Sequence, residues 1–502
     1  MNEDKKSQQR ILKTSSIIGG ASFINIIISL FKIKIVAILL GPTGIGLIGL
    51  LQNFMQVASN ISAMGLGTSG TRQIAAANSQ HDHRKVAVAK RSLFLGSIFL
   101  ALVSGLVILI IREPLATAFL DDNSKGSWIA WLALGVALTV IAGSQRAVLN
   151  GLRHINELAK LSIYSSLFAT LVGIAAIWFL QENGALFFVI SVPLATFILG
   201  YFYVKKIPNI KIESIPFIEL KKQWNMLLRL GFAFMIAGLA ASAGQLAVRT
   251  LVKTELGFHA SGLFEASWAI SMTYIGFILA AMGSDYYPRL TEIIKDNSAV
   301  TKLVNEQTEI ALLLSGPILI AMLTFAPWVI TLLYSSEFVQ ASNILRWQIL
   351  GDVLKIVSWP LGFVILASGA GKQYMLFETL AVIIFFGVTW ACLDFFKIQA
   401  TGIAFLAMYL VYLSAVYFSA ARKIGFSWNK RVCIDVSLLV LSAIVIILSN
   451  SYNENLALLI GTLLITLLSI KSYKSIISIA LDEPTPILKR LKLLMGKNSG
   501  KK

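Results

Sequence analysis

At 502 residues, 56% hydrophobic and only 14% charged, the chain is too apolar for an ordinary soluble domain. Its formal net charge of +18 raises nucleic acid as a partner. The Lys and Arg residues, however, sit in short segments beside apolar runs, where they act as orientation signals, and nucleic acid is set aside.

The apolar blocks are long enough for spans of roughly 20 residues, with none of the period-2 alternation of a porin-like barrel. The expected fold class is therefore an all-α polytopic membrane protein. Residues 1–14 are polar and read as a cytoplasmic N-terminal tail that runs into a full span, with no signal peptide evident. Helices are predicted at about 15–40, 45–67, 91–111, 127–150, 160–180 and 185–204, forming a first six-helix bundle over 15–204. A polar stretch, 205–228, carries Pro208 and Pro216 and reads as a cytoplasmic linker. A second bundle over 229–421 follows, with helices at about 229–252, 262–284, 309–333, 343–368, 374–394 and 399–421. An extra helical hairpin over 432–470 and a basic cytoplasmic tail over 471–502 complete about 14 transmembrane helices. Most of the 43 Lys and Arg then fall on one side, which places both termini in the cytoplasm. Within the tail, 487–497 has the pattern of a basic amphipathic helix suited to an anionic leaflet, or of a plain solubilising tail.

The two bundles read as a repeat. At an offset of 216 residues, Leu40-Gly41 falls on Leu256-Gly257, Gly46-Leu47 on Gly262-Leu263 and Gly67-Thr68 on Gly283-Ser284, while Arg72 falls one residue short of Arg289. Six helices per repeat is an even number, so the halves share an orientation about an axis along the membrane normal, a parallel pseudo-twofold repeat.

Charges inside apolar helices are costly and mark the candidate site. In the first helix Ser22, Asn25, Ser29 and Lys32 form one polar face, and Lys34 points about 160° away from Lys32. Asn53, Gln56 and Asn60 make a stripe in the second helix that suits either interhelical hydrogen bonding or a cavity wall. Ser242, Gln245, Arg249 and Lys253 share a face of the seventh helix, where Lys253 lies close enough to the end to snorkel. In the tenth helix Gln348, Asp352, Lys355 and Trp359 recur at helical spacing, and Asp352 with Lys355 can pair at i, i+3, as a structural lock or as a titratable coupling element. Glu265 and Glu378 are further coupling candidates, and Arg146 serves either the cavity or the membrane interface. His81 and His83 lack a ligand framework, so no metal is expected, and Cys392 with Cys433 makes no disulfide scaffold. No phosphate-binding loop or nucleophile elbow occurs, so ATP hydrolysis by this chain is excluded as the driving force, and neither catalytic residues nor a cofactor are expected.

The stretch KIVAILLGPTGIGLIGL, followed by GLGTSGTRQIA, resembles the first hairpin of bacterial polysaccharide repeat-unit flippases, or O-antigen translocases, in the multidrug/oligosaccharidyl-lipid/polysaccharide exporter superfamily. LNGLRHINELA, DYYPRLTEI and LRWQILGDVLKIVSWPLGFVILASG are similar to the same family, in the same order, over roughly residues 10–420. The resemblance implies two MATE-like six-helix bundles around a central cavity. It also implies translocation of an isoprenoid (undecaprenyl) diphosphate-linked oligosaccharide from the inner to the outer leaflet of the bacterial inner membrane by alternating access, for polysaccharide and lipopolysaccharide biosynthesis. Under it, Lys32 or Lys34, Arg249, Arg146 and Arg346 meet the anionic head. Asn53, Gln56, Gln245 and Lys355 complete the substrate-binding cavity, and Asp352 is the coupling carboxylate, with H+ or Na+ as the coupling ion. The family's lysine aligns with Lys34, whereas the helical wheel favours Lys32. Membrane lipids and the polysaccharide polymerase machinery are the other implied partners. A cation/drug antiporter of the same architecture would want acidic and aromatic residues where this chain places Lys and Arg. A membrane glycosyltransferase or polymerase would want a sizeable outer loop, and the outer loops here are short.

Overall fold

The computed structural model describes residues 2–207 and 215–482. The amphipathic segment expected at 487–497, and Pro208 in the linker, lie outside the described residues. Among the described residues there are fifteen α-helices, three short 3-10 turns and no strand. This follows from the solvent: in hydrocarbon a backbone must satisfy its own polar groups, and a helix does so within one segment.

The two longest helices, α1 (Asn2–Ala63) and α8 (Phe217–Ile293), run for 62 and 77 residues, and each contains one non-helical residue. These are Gly41 (φ 60°, ψ −167°) and Gly257 (φ 83°, ψ 172°), a conformation that only glycine adopts without strain. Both are reversals. Arg249 and Glu265 are 16 residues apart, about 24 Å on a straight helix, yet their side chains meet at 2.6 Å. In the same way Ile18, Ser22 and Asn25 line one cavity with Thr68, Thr71 and Arg72, which α1 could not allow without folding back at Gly41.

Eleven helical runs among the described residues are long and apolar enough to cross a membrane, and three of them have 47, 51 and 42 residues. These three break at Gly41, at the 3-10 turn Gln181–Asn183 and at Gly257, so that the double-length runs resolve into pairs and the expected number of about fourteen is reached.

The backbone carries the repeat beyond the glycines. After α5 (Gly126–Gly151) the chain turns through Arg153 (φ 60°), and after α11 (Ala341–Ala367) it turns through Gly369 (φ 77°). α6 (Ile155–Leu180) ends on Gln181 (φ 53°, ψ −127°) and α12 (Gly371–Phe396) on Lys397 (φ 48°, ψ −135°). Each pair is again 216 residues apart. The short helix α4 (Arg112–Leu120) has its counterpart in α10 (Ala326–Leu333), and α7 (Gly184–Lys205) in α13 (Gln399–Ile424). α3 (His83–Ile110) and α9 (Asn297–Thr324) both start on an aspartate cap. In the first, the Lys85 backbone N–H, and then its side chain, hold the Asp82 carboxyl below the usual carboxylate range.

By internal contacts the chain divides into two compact units, Met1–Glu265 with Thr331–Phe338, and Ala266–Ile330 with Val339–Lys502. Within the first, the two reversals pack against each other reciprocally. A Cβ at Gly46 would lie 2.2 Å from the Phe258 carbonyl oxygen, and a Cβ at Gly262 would lie 1.8 Å from that of Pro42. Both glycines and both carbonyls are repeat equivalents, so the contact is isologous, residue i meeting j and j meeting i. Small residues allow the close backbone approach that holds helices together in a bilayer, where hydrophobic exclusion supplies little. Elsewhere in the unit Leu66, Ile74, Leu93, Val148 and Leu227 form a buried cluster under Trp224, tying α2 (Leu66–Ser79) to α3, α5 and α8.

In the second unit the extra hairpin is α14 (Lys430–Tyr452) and α15 (Glu454–Asp482), and it seats on α9. A Cβ at Gly316 would lie 2.9 Å from Leu439, and one at Gly461 would lie 2.3 Å from the Thr324 hydroxyl. Lys471 pairs with Asp435 across the hairpin.

Candidate functional site

The first unit holds a cavity of about 710 Å3 between the first arm of α1, the start of α2, the end of α5 and the start of α6. Its polar lining includes Asn25, Thr71, Arg72, Arg146, Asn150 and Ser162, and no carboxylate lines it. Asn25 donates to the Ser162 hydroxyl at 2.8 Å, while its own Oδ1 is buried without a hydrogen-bond partner. Arg72 and Arg146 are both exposed, and neither makes an ion pair among the described residues. Two unmatched guanidiniums and an orphan amide oxygen, walled by helices and free of acid, form a receptor for an anion with further donors. Of the residues singled out in the sequence, Arg146 and Asn25 are here. Arg72 is the addition: it was counted among the orientation charges. Its placement follows from α2, whose face carries Gly67, Thr68, Thr71 and Arg72 toward the cavity.

The two lysines of the first helix part company. Lys34 donates to the Thr331 carbonyl at 2.9 Å. Lys32 lies 5.7 Å from the centre of the Phe188 ring and makes no ion pair among the described residues, so the divergence expected from the helical wheel holds. The amides of the second arm are used locally. Asn53 donates to the Gly49 carbonyl at 2.8 Å, and Gln56 to Asn60 at 2.9 Å, which in turn reaches Ser242 at 3.1 Å.

Arg249 is 3% exposed, and its Nε donates to Glu265 at 2.6 Å while Nη1 reaches the Gln245 amide oxygen at 3.3 Å. The ring of Phe264 lies 5.5 Å from the guanidinium. Glu265 and Gln245 are thus the partners of Arg249. Lys253, for which snorkelling was open, is 2% exposed and pairs with Asp121. A buried cation is stable only when matched, and Asp121 at the end of α4 matches it.

In the second unit Asp352 is fully buried and accepts from Ser271 at 2.8 Å and Tyr274 at 2.5 Å. The i, i+3 ion pair with Lys355 does not form within 4 Å; Lys355 instead lies 3.2 Å from the Met272 sulfur and over the Tyr409 ring at 5.6 Å. Two hydroxyls on the neighbouring helix satisfy the aspartate more closely than a flexible ammonium on its own helix could. Glu378 accepts from Tyr412 at 2.8 Å. Arg346 is bound by Asn343 at 3.1 Å and by Asn450 of the extra hairpin at 3.0 Å, so its bonds run to α14.

The family described as polysaccharide biosynthesis protein matches residues 35–343. The "Lipid III flippase" of Escherichia coli (strain K12) is 21% identical over 431 residues, covering 84% of this chain and 99% of that relative, and a "Lipid III flippase" of Shigella flexneri matches equally. Among solved structures, the lipid II flippase MurJ in an inward closed conformation superposes with a TM-score of 0.67 at 13% identity, covering 91% of this chain and 99% of that one. An inward-facing multidrug resistance MATE family transporter of the MOP superfamily gives 0.65 at 15% identity, covering 80% and 94%. At such identities the structures speak for the fold, an all-α polytopic membrane architecture of the MATE and MurJ type.

Proposed function

Since the chain belongs to the polysaccharide biosynthesis protein family, we propose that it moves an isoprenoid diphosphate-linked oligosaccharide repeat unit from the inner to the outer leaflet of the bacterial cytoplasmic membrane. The observation that carries the reading is the cavity of the first unit, with Arg72 and Arg146 unpaired and no acid in its wall. A diphosphate is the anion such a cavity fits. Its oxygens accept from two planar guanidiniums, and each charge-assisted bond in a water-poor site contributes roughly 1.5–3 kcal/mol. The hydrocarbon tail need not enter a protein site, because the bilayer already solvates it. Lys32 offers a further unmatched cation in the same unit.

In this reading Arg249 with Glu265 is a neutral lock that spans the reversal at Gly257, and alternating access runs between the repeats 15–204 and 229–421. Asp352 is the coupling carboxylate, since it is buried and its Oδ1 is unpartnered while its Oδ2 is held by two hydroxyls. The termini face the cytoplasm. The chemistry is translocation, with no bond made or broken in the substrate.

The test is a leaflet-resolved assay in vesicles carrying the purified protein and a defined polyprenyl diphosphate oligosaccharide. Wild type is expected to bring the sugars to the opposite leaflet, and Arg146→Ala with Arg72→Ala to slow this by about 10- to 100-fold. Unchanged flipping by the double variant overturns the site. A gene deletion that leaves lipid-linked repeat units normally distributed across the leaflets overturns the function.

A further inference from the structure

The second unit contains its own cavity, of about 250 Å3, between α11, α12 and α13. It is the repeat counterpart of the first. Gly143, Arg146, Ala147, Leu158 and Ser162 line the one, and the residues 216 positions later, Trp359, Gly362, Phe363, Tyr374 and Glu378, line the other. The backbone position is shared and the chemistry is reversed. Where the first cavity has Arg146 the second has Gly362, at which a Cβ would lie 3.0 Å from the Tyr412 hydroxyl and 3.6 Å from the Tyr374 ring. The missing side chain is what leaves the space open.

The walls are aromatic. Trp359 and Phe363 pack at 4.7 Å between ring centres on α11, and Tyr374, Tyr409 and Tyr412 come from α12 and α13. Two charged groups of opposite sign reach the same space: Glu378, hydrogen-bonded to Tyr412 at 2.8 Å and also to Tyr374, and Lys355. Interiors close-pack, and a void with room for about eight waters beside a carboxylate, an ammonium and three phenols is not ordinary core.

We propose that this cavity is a sugar subsite, which takes one pyranose ring of the lipid-linked oligosaccharide. The inference rests on the flippase reading and adds to it a second, separate point of recognition. A pyranose presents a face of C–H groups to the electron-rich face of an aromatic ring and a rim of hydroxyls. Glu378 accepts from that rim and Lys355 donates to it, so both sides of a hydroxyl group are served. A lipophilic cation is the competing ligand for an aromatic cage with a carboxylate, and Lys355 in the wall opposes it. The two units thereby divide the substrate: the diphosphate goes to the unpaired arginines of the first, the sugar to the aromatic cavity of the second.

The experiment compares two probes on the full chain in lipid nanodiscs: a short polyprenyl diphosphate, and the same lipid carrying one N-acetylhexosamine. Binding is read by thermophoresis. Wild type is expected to prefer the glycosylated lipid by about 10-fold, the scale of one good aromatic contact with a hydrogen bond. Tyr374→Ala and Glu378→Gln are expected to erase that preference while the bare lipid still binds, and Tyr374→Phe to keep it. Arg146→Ala is expected to weaken both lipids alike. A wild type without preference, a Tyr374→Ala variant that loses both lipids equally or neither, or displacement of the glycosylated lipid by tetraphenylphosphonium overturns the sugar subsite and leaves the diphosphate site standing. A wild type that binds neither lipid overturns the flippase reading and this inference with it.

Discussion

The first repeat leaves cations unmatched, and the second neutralises its own. Lys32, Arg72 and Arg146 have no acidic partner among the described residues, whereas Arg249 is taken up by Glu265 and Lys253 by Asp121. The positions 216 residues after Lys32 and Lys34 are Val248 and Thr250, and that after Arg146 is Gly362. The backbone meanwhile is the same in both: Gly41 and Gly257, Arg153 and Gly369, Gln181 and Lys397 repeat one another's torsions. Reversals and helix ends are dictated by chain geometry and survive duplication. Charges are dictated by what each copy must hold, and they diverge.

The sharpest way to break this contrast is to strip the match from a matched cation. Glu265→Ala leaves Arg249 buried without its acid and is expected to cost about 3–5 kcal/mol, whereas removing both charges in Arg249→Leu/Glu265→Leu is expected to restore most of that. Thermal unfolding in detergent reads both, and equal losses in the single and double variants would remove the distinction between matched and unmatched cations. A smaller effect is expected from disturbing what the repeats share. Gly262→Val pushes a side chain into the Pro42 carbonyl and is expected to cost roughly 1–3 kcal/mol, with Gly46→Val matching it because the contact is reciprocal. Unequal losses would show that the two reversals are not equivalent. The smallest effect belongs to the part outside the repeat. Arg346→Ala loses its bonds to Asn343 and Asn450 and is expected to lower stability by about 1 kcal/mol, with flipping in vesicles retained. A loss of flipping without a loss of stability would return Arg346 to the substrate path.

Much of this frame could be read from the chain alone. Gly-Pro and Gly-Phe following an apolar run announce the reversals at 41 and 257, and the offset links them. The helical wheel also separates Lys32 from Lys34, as their different partners show. What escaped the sequence is whatever depends on several helices at once. Arg72 looks like a loop charge until α2 is seen to begin at Leu66 and turn it toward Arg146. Asp352 and Lys355 look like a pair until Ser271 and Tyr274 claim the carboxylate from another helix. The aromatic cavity is invisible in any single segment, because Trp359, Tyr374 and Tyr409 belong to three different helices, none of which is unusual in itself.

The crossing of Gly46 and Gly262 carries a last implication. Each glycine is filled by the other arm's main-chain carbonyl, so no side chain mediates the contact. Main chain does not have rotamers, and such a junction cannot loosen by degrees: it is seated or it is apart. A substitution on either arm faces the same obstacle, so tuning by small steps is closed to both copies at once. The junction behaves as a mechanical detent, and any working cycle that parts these arms must do so as whole helices in a single discrete movement.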